Sequence, residues 1–427
     1  MTAASQPIGT LLWKRWRDPA AWMTAADIVT VLLALSLPWS TSLVGIFGVV
    51  LVLVMLPTID ASTFIASLKR PACLAPVALF VLALAGTLWS DANWGLRFHS
   101  VAPTAKLLLL PLLFYHFERS GRGLWVFTAF LASCAVMVVA SWIVAYFPQL
   151  TLKDAGTASR GVFVKNYIDQ SQEFALCALA LAFPIATMLR EKKLGLALLL
   201  GALSLAFLAN MAFVIVSRTA LVTIPIMLAA FAVLHLRPKT TLMVLCACVA
   251  AGAIVWFASP QLETTVATFR QQYQDYMATG STTSIGQRLE YYRKSLHFFG
   301  EAPMIGHGTG SIEGLFVQAA IGQTGAAADV VRNPHNQTLN VAVQWGVLGV
   351  VVLYAMWIAH LMLFRGEGLA NWIGLLVVVQ NIFTSLFNSH IFDFHEGWMY
   401  VIGVGIAGGL VAKARGPAEA PMPMVNS

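Results

Sequence analysis

Apolar runs of roughly twenty residues recur along almost the whole chain, and each is long enough to cross the ~30 Å hydrocarbon core of a membrane as a helix. Hydrophobic residues make up 58% of the 427 residues and charged residues only 11%, with a mean hydropathy of +0.75. Soluble domains carry about 25% charged residues. We therefore expect an all-α polytopic membrane protein whose soluble part is small.

About twelve transmembrane helices are predicted from these runs. They lie near 26–40, 42–57, 73–90, 101–117, 123–147, 172–190, 194–216, 219–236, 241–258, 336–364, 370–387 and 397–412. A re-entrant hairpin is the alternative for the first two, because Ser40-Thr41-Ser42 joins them tightly. The predicted regions are a basic N-terminus (1–25), nine spans (26–258) with a loop at 148–171, a long loop (259–335), three spans (336–412) and a disordered tail (413–427).

Short clusters of Lys and Arg determine the predicted orientation, because cytoplasmic loops are enriched in these residues. The clusters on one face are Lys14/Arg15/Arg17, Lys69/Arg70, Arg119/Arg122, Arg190/Lys192/Lys193, Arg237/Lys239, Arg365 and Lys413/Arg415. We assign that face, and both termini, to the cytoplasm. This placement also explains the net charge of +7 better than nucleic-acid binding does, so no nucleic-acid partner is expected.

The other face holds eleven of the twenty-six Lys and Arg residues, which the orientation rule does not require. They are Arg97, Lys106, Lys153, Arg160, Lys165, Arg218, Arg270, Arg288, Arg293, Lys294 and Arg332. Arginines concentrated on one face predict an anionic ligand. The outer loop at 259–335 is too long for a simple connector, so we expect it to carry the catalytic or binding site.

The motif Asn333-Pro334-His335-Asn336 ends that loop. Asn333 is predicted to cap the next span and Pro334 to occupy its first position, which places His335 in the first helical turn. The positive end of the helix dipole favours a neutral imidazole, and a neutral imidazole can act as a general base. A purely structural histidine is the alternative, which the neighbouring Asn and Arg residues disfavour.

Arg288 lies on a predicted helix that follows a polar helix at about 260–277. Ser284 and Gln287 have the spacing of a capping box. The predicted apolar stripe consists of Ile285, Leu289, Tyr292, Leu296 and Phe299. Arg288 borders this stripe, so packing can hold it while its guanidinium faces a cavity and binds a phosphate through two nitrogens. A solvated charge is the alternative for Arg288 and the favoured interpretation for Arg293 and Lys294.

Arg218 lies in Val216-Ser217-Arg218-Thr219, between two spans with almost no loop. A charge at the membrane boundary is costly and is functional by default, although snorkelling to the interface is the alternative. Arg160 and Lys165 add positive charge in the loop at 148–171. With Arg218 and Arg288 they predict a basic pocket at the membrane surface, which suits a lipid pyrophosphate.

Two further groups have simpler interpretations. Residues 306–311 are rich in glycine but lack the Lys of a phosphate-binding P-loop, so we expect a turn there rather than an anion nest. His390, Asp393, His395 and Glu396 lie together between the last two spans and could bind a metal. The favoured interpretation is that Asp393 orients or pairs with a nearby cation, and we expect neither a metal nor a cofactor.

Together these motifs resemble the O-antigen ligase family of bacterial lipopolysaccharide assembly. The resemblance rests on Ser217-Arg218-Thr219, the helix that carries Arg288, the turn at 306–311 and the motif at 333–336. It implies a glycosyltransferase of GT-C-like architecture in the bacterial inner membrane, with its active site facing the periplasm. The implied reaction moves a polysaccharide from undecaprenyl pyrophosphate to a sugar hydroxyl of lipid A-core.

The resemblance also implies residue roles. His335 would be the general base, and Arg288 would act in catalysis. Arg288, Arg218, Arg160 and Lys165 would bind the lipid pyrophosphate, while Asn333, Asn336 and Asp393 would support the site. Transfer would invert the anomeric centre and need no metal. Membrane lipids complete the expected partners.

Other functions remain open at the level of the sequence. O-antigen polymerases and protein O-oligosaccharyltransferases share the implied donor and differ in acceptor, which the motifs do not fix. A transporter or flippase of an anionic lipid is a more distant alternative. Transporters often have two matching halves, whereas the long outer loop of this chain lies in one half only, which favours an enzyme.

Overall fold

A computed structural model describes residues 18–152, 161–215 and 217–416 of the chain. Over these ranges the protein consists of helices joined by turns, with no β-strand, which confirms the all-α fold. Ten helical segments of this part are long and apolar enough to cross a membrane. The apolar helices 223–234 and Leu369–Thr384 are shorter, so the twelve predicted spans correspond to ten long and two short ones.

The α-helices are numbered in chain order. They are α1 (Pro19–Ser36), α2 (Thr41–Met55), α3 (Ala61–Leu68), α4 (Pro71–Ala85), α5 (Trp94–Ala105), α6 (Leu109–Arg119), α7 (Gly123–Tyr146), α8 (Tyr167–Ala180), α9 (Ala182–Arg190), α10 (Leu194–Phe213), α11 (Arg218–His235), α12 (Pro238–Ala258), α13 (Pro260–Thr279), α14 (Ser284–Glu301), α15 (Ile312–Ala320), α16 (Gln337–Leu363), α17 (Leu369–Thr384) and α18 (Phe394–Arg415). The basic cluster at 14–17 and residues 417–427 of the predicted disordered tail lie outside the described residues. The tail was predicted to begin at 413, which is wrong, because residues 413–415 still belong to α18.

Two spans consist of two helices in series. A 3-10 turn at Lys106–Leu108 separates α5 from α6, and Leu181 separates α8 from α9. A proline follows each break, Pro111 in α6 and Pro184 in α9. Proline lacks the N–H that would bond to the carbonyl four residues earlier, so the helix is interrupted near that carbonyl.

The same two spans begin earlier than predicted. The predicted starts near 101 and 172 fall inside longer helical segments, which run from Trp94 and from Tyr167. The polar run at 169–173 hides the beginning of the second of these segments from a hydropathy argument. Polar residues inside a span generally face the protein interior and are functional candidates.

The last span, α18, is the most buried of the long helices in the described part of the chain, with 72% of its apolar window inside the protein. It packs closely against α6 through small residues. A Cβ atom at Gly409 would lie 2.6 Å from the Phe114 carbonyl oxygen, and one at Gly405 would lie 2.8 Å from the Leu113 side chain. Small residues let membrane helices approach closely, so glycine at these positions fixes α18 in the centre of the bundle.

The helix α16 is broken at Gly346, which has a φ of 60° and a ψ of −155°. The break frees backbone groups on both sides. The carbonyl oxygens of residues 343 and 344 accept from the N–H groups of residues 307 and 308, and the N–H groups of residues 347 and 348 donate to the carbonyls of residues 303 and 304. This exchange ties the segment at 303–308 to the middle of a membrane helix.

The long segment at 259–335 contains the helices α13, α14 and α15. A small apolar core joins α14 and α15 to α16. Its buried members are Tyr291, Phe298, Ile312, Phe316 and Val343. The segment is therefore packed against the bundle beside the first turns of α16.

The predicted face of α14 is only partly right. Leu289 and Leu296 are exposed, whereas Tyr291, Lys294 and Phe298 are buried. The buried face is rotated because Tyr291 and Phe298 both meet Phe316 of α15, a contact between helices that the local pattern does not contain. The predicted capping box is also wrong by one residue, since the Thr283 side chain caps the helix by accepting from the Gly286 N–H at 3.1 Å.

We predict that Gly346→Ala destabilises the protein. The backbone at Gly346 lies in a region that essentially only glycine adopts, at a cost of about 1–3 kcal/mol for other residues. A Cβ atom there would also lie 2.4 Å from the Met304 carbonyl carbon. The apparent melting temperature of purified protein should fall by several degrees.

Gly201→Ala is the matched control, because a Cβ atom at Gly201 in α10 meets nothing within 4 Å. Alanine is the better helix former, so this variant should melt at the same temperature or higher. Equal melting of the two variants would contradict the assigned role of the break.

Candidate functional site

His335 lies at the entrance to α16 but outside the helix. Its φ is 55°, and the helix begins at Gln337 with Asn336 as the N-cap. The Asn336 side chain accepts from the Leu339 N–H at 3.0 Å, while the Asn333 side chain accepts from the His335 N–H at 2.9 Å. The prediction that Asn333 caps the helix with His335 in its first turn is therefore wrong.

The His335 ring is held by a chain of three polar side chains. Its Nδ1 lies 2.8 Å from Asn388 Oδ1, and Asn333 Nδ2 donates to the same oxygen at 3.0 Å. Asn388 Nδ2 in turn donates to Asp393 Oδ2 at 2.5 Å. This network assigns the proton to Nδ1, because an amide oxygen only accepts. The lone pair of Nε2 is then available.

The pKa of His335 is lowered from its usual 6.5. Burial is the main cause, because it disfavours the charged ring. The hydrogen bond to Asn388 raises the pKa, and the positive charge of Arg288 lowers it again. The ring is therefore neutral near pH 7 and can accept a proton.

The helix α14 positions His335 through two tyrosines. The Tyr291 ring stacks on the imidazole with ring centres 5.9 Å apart and an angle of 27° between the planes. The Tyr292 hydroxyl lies 3.0 Å from the His335 carbonyl oxygen and 2.8 Å from that of Leu386. These tyrosines follow Arg288 by three and four residues, so all three side chains occupy neighbouring positions on α14.

Arg288 is partly buried and makes no hydrogen bond or ion pair within residues 18–152, 161–215 and 217–416. Its neighbours differ. Arg293 pairs with Glu290 at 2.7 Å, Arg332 pairs with Glu313 at 2.8 Å, and Lys294 donates to the Ala327 carbonyl at 2.5 Å. Arg288 thus offers an uncommitted guanidinium, close enough to lower the pKa of His335.

Asp393 connects the hydrogen-bonded side chains around His335 to a buried cluster of ionisable groups. Its carboxylate lies 3.5 Å from His390 Nδ1, and Lys106 Nζ donates to its backbone carbonyl. Burial and the charge of Glu396 raise the pKa of Asp393 to about 6. The expected cation near Asp393 is thus present, although Lys106 meets the backbone rather than the carboxylate.

His390, Asp393 and Glu396 have the types and spacing of metal ligands, with their candidate ligand atoms within 4.8 Å of one another. Gln172 Nε2 donates to Glu396 Oε1 at 3.0 Å and lies 3.4 Å from His390 Nε2. That contact leaves the proton of His390 on Nδ1, which faces both carboxylates at 3.5 Å. Both carboxylates lie within ion-pair distance of this nitrogen, which makes no hydrogen bond in the described part of the structure.

Lys165 belongs to the same cluster. Its Nζ donates to the Leu37 carbonyl and lies 3.1 Å from His395 Nδ1. Burial lowers the pKa of Lys165, while the carboxylates of Glu173 and Asp169 raise it. The role of Lys165 in pyrophosphate binding stays a prediction, and its contacts here are with protein groups.

Asn388, Asp169 and Glu173 were not predicted from the sequence. Asp169 and Glu173 lie one turn apart on α8, and both are buried. Their signal was available, because 169–173 is a polar run inside an apolar span. Asn388 had no local signal, since its partners His335 and Asn333 are more than fifty residues away.

The two other predicted cations cannot be placed by their side chains. Arg218 is the first residue of α11, preceded by Ser217 as the N-cap residue, and its side chain lies outside the described part of the structure. Arg160 lies in the segment 153–160, which is outside the described residues. Their roles stay predictions.

The glycine-rich segment at 306–311 forms a turn, as expected. Gly306, Gly308 and Gly310 all have φ angles between 65° and 86°. The N–H groups of residues 307–311 all donate to protein oxygen atoms, including those of Gln344 and Gly86. These groups are therefore not free to hold an anion, and the turn serves to dock the segment on α16.

A polar groove reaches the site from the side of α5. A cavity of about 170 Å³ is lined by Asn333, Asn340, Ser389 and Asp393, among others. It shares lining residues, including Arg332, with an open depression of about 670 Å³. Amide, hydroxyl and carboxylate groups are the partners that sugar hydroxyls use.

Comparison with known proteins places a family match on this part of the chain. No curated protein sequence matches the chain. One region of the chain, about a third of its length, matches a family model. This region includes Arg218, Arg288 and His335, but not Asn388 or Asp393. Residues 203–354 match the family model described as O-antigen ligase, which confirms the family resemblance carried by the motifs and supports a function of the ligase or polymerase type.

Proposed function

We propose that the protein is an O-antigen ligase that transfers a polysaccharide from undecaprenyl pyrophosphate to a sugar hydroxyl of lipid A-core. Transfer takes place on the periplasmic side of the bacterial inner membrane. One observation carries the proposal: a neutral His335 with a free Nε2 lies beside the uncommitted Arg288. A base next to a phosphate-binding cation is the minimum set of groups for transfer from a pyrophosphate donor.

In the proposed reaction, His335 Nε2 removes the proton of the acceptor hydroxyl. The acceptor oxygen attacks the anomeric carbon as the bond to the pyrophosphate oxygen breaks, so the configuration inverts. The bonding electrons stay on the leaving pyrophosphate, and the proton stays on His335. Arg288, with Arg218 and Arg160, neutralises the negative charge that develops on the leaving group.

This scheme needs neither a protonating acid nor a divalent metal. Pyrophosphate is a good leaving group without protonation, and guanidinium groups supply the charge that a metal gives other glycosyltransferases. The carboxylates near the site are engaged: Asp393 accepts from Asn388, and Glu396 accepts from Gln172. In this reaction the acceptor sugar lies in the polar groove beside Asn333.

His335→Asn tests the proposal most directly. Asparagine tolerates the left-handed backbone of this position, so the fold is kept while the base is lost. Transfer by purified protein, measured with lipid-linked donor and lipid A-core, should fall by about 10²–10⁴-fold.

Wild-type protein should remain active after exhaustive chelation of divalent metals.

His297→Asn is the control, because His297 is exposed on α14. It should transfer at the wild-type rate. Near-normal transfer by His335→Asn would refute the assignment of the base. Transfer to growing polymer or to protein, with none to lipid A-core, would instead identify the polymerase or protein O-oligosaccharyltransferase reaction.

The pH dependence of transfer should report His335. The neutral ring is the active form, so the rate should rise with pH through an apparent pKa below 6.5 and then stay level. Arg288→Gln removes a charge that lowers this pKa, so the rise should move to higher pH. Arg293→Gln should leave the profile unchanged, because Arg293 is paired with Glu290.

Arg288→Lys separates charge from geometry. Lysine keeps the charge, so the pH profile should stay near that of the wild type. A point charge cannot replace a two-nitrogen contact with phosphate, so kcat should fall by about 10²-fold. If the Arg288→Lys variant transferred as fast as wild type, Arg288 would act only through long-range charge.

A further inference from the structure

An amphipathic cavity lies at the other end of α16, far from His335. It has a volume of about 790 Å³ and is lined by residues of α9, α11, α16, α17 and the turn that joins α16 to α17. The 27 residues of α16 separate it from His335, a length of roughly 40 Å along the helix. The cavity is therefore independent of the candidate active site.

The walls of this cavity are apolar and its opening is polar. Phe183, Phe231 and Trp372 form part of the wall, and Phe231 packs edge to face on Trp372. Arg190 and Arg365 line the opening. A cavity with this division fits a ligand that has a hydrocarbon part and a charged head.

Positive charge dominates the opening. Arg365 is exposed and its guanidinium makes no hydrogen bond or ion pair with any residue that the structure describes. Arg415 lies beside it, with Nη2 donating to the Leu363 carbonyl at 2.8 Å and the Arg365 carbonyl at 3.1 Å. Glu367 also lines the cavity. Three arginines near one carboxylate leave a net positive opening.

Asn371, which also lines the cavity, has a polar atom without a partner. Its Nδ2 donates to the Glu367 carbonyl at 2.9 Å, while its buried Oδ1 has no hydrogen-bond partner in the described part of the chain. A buried acceptor without a partner is costly, and a hydroxyl of a bound ligand would satisfy it. The opening thus offers cations for a phosphate and an acceptor for a hydroxyl.

We propose that this cavity binds one anionic phospholipid of the phosphatidylglycerol type. Its phosphate lies between Arg190 and Arg365, a glycerol hydroxyl donates to Asn371 Oδ1, and an acyl chain lies against Phe231 and Trp372. Basic pockets between membrane helices bind anionic head groups in this way. The apolar walls favour a lipid over a soluble phosphate, and the positive opening disfavours a head group that carries its own cation.

The test uses purified full-length protein in neutral detergent. Phosphatidylglycerol, phosphatidylcholine and glycerol phosphate are added separately, and bound lipid is counted by native mass spectrometry alongside the melting temperature. Wild-type protein should retain one phosphatidylglycerol and melt at a higher temperature with it. Phosphatidylcholine should bind at least about tenfold more weakly, which corresponds to about 1.4 kcal/mol.

Arg365→Gln should weaken phosphatidylglycerol binding by about tenfold and abolish most of the rise in melting temperature. Lys69→Gln removes one exposed positive charge that does not line the cavity, and it should behave as wild type. Two results would overturn the proposal: equal binding of the two phospholipids, or equal loss of binding in both variants. Displacement of the lipid by glycerol phosphate at similar concentration would also overturn it, because the site would then recognise phosphate alone. None of these readouts depends on transfer activity.

Discussion

The broken helix α16 is the constraint on which the candidate site depends. Backbone groups inside a membrane protein need partners, because lipid offers none. The break at Gly346 would leave four such groups unsatisfied, and the segment at 303–308 satisfies them. This segment directly follows α14, while His335 directly precedes α16. The exchange of hydrogen bonds at the break therefore fixes, at one place, the two elements that bring Arg288 and His335 together.

Arg288 is a partly buried cation without an ion pair or hydrogen bond in the described part of the chain. A partly buried cation without a partner loses hydration and gains no ion pair, so it costs stability unless a ligand supplies the anion. The nearby cations do not carry this cost, because Arg293 is held by Glu290 and Arg332 by Glu313. Glu290 accepts from the Tyr276 hydroxyl through Oε1 at 2.7 Å and from Arg293 through Oε2, so both of its oxygens already have partners. Because Arg293 is paired, Arg288 is the guanidinium of α14 that a phosphate can bind.

Hydrophobic runs were sufficient to predict where the apolar spans lie, although not where two of them begin, because a span must be apolar over most of its length. His335 and Arg288 were recognised because each is close in sequence to the start of a helix. The local conformation of His335 was not predictable in the same way. Asn333 and Asn336 are both good caps, and only the contacts of Asn333 with Asn388 and Ser389 decide that Asn336 caps α16. Those partners come from a loop more than fifty residues later, so no pattern around His335 contains them.

The positive charge of the predicted basic pocket is smaller than the number of Lys and Arg residues on the outer face indicates. Lys106 and Lys165 were counted on the outer face, but in the structure both donate to backbone carbonyls, Lys106 beside the half-buried Asp393 and Lys165 near the buried acids Glu173 and Asp169. A lysine that neutralises a buried carboxylate contributes little net field to a neighbouring site. A planar guanidinium differs, because its five donors can bind two oxygens of one phosphate and still keep their charge. Specificity for a pyrophosphate would then depend on the few arginines left without a partner rather than on the total positive charge of the outer face.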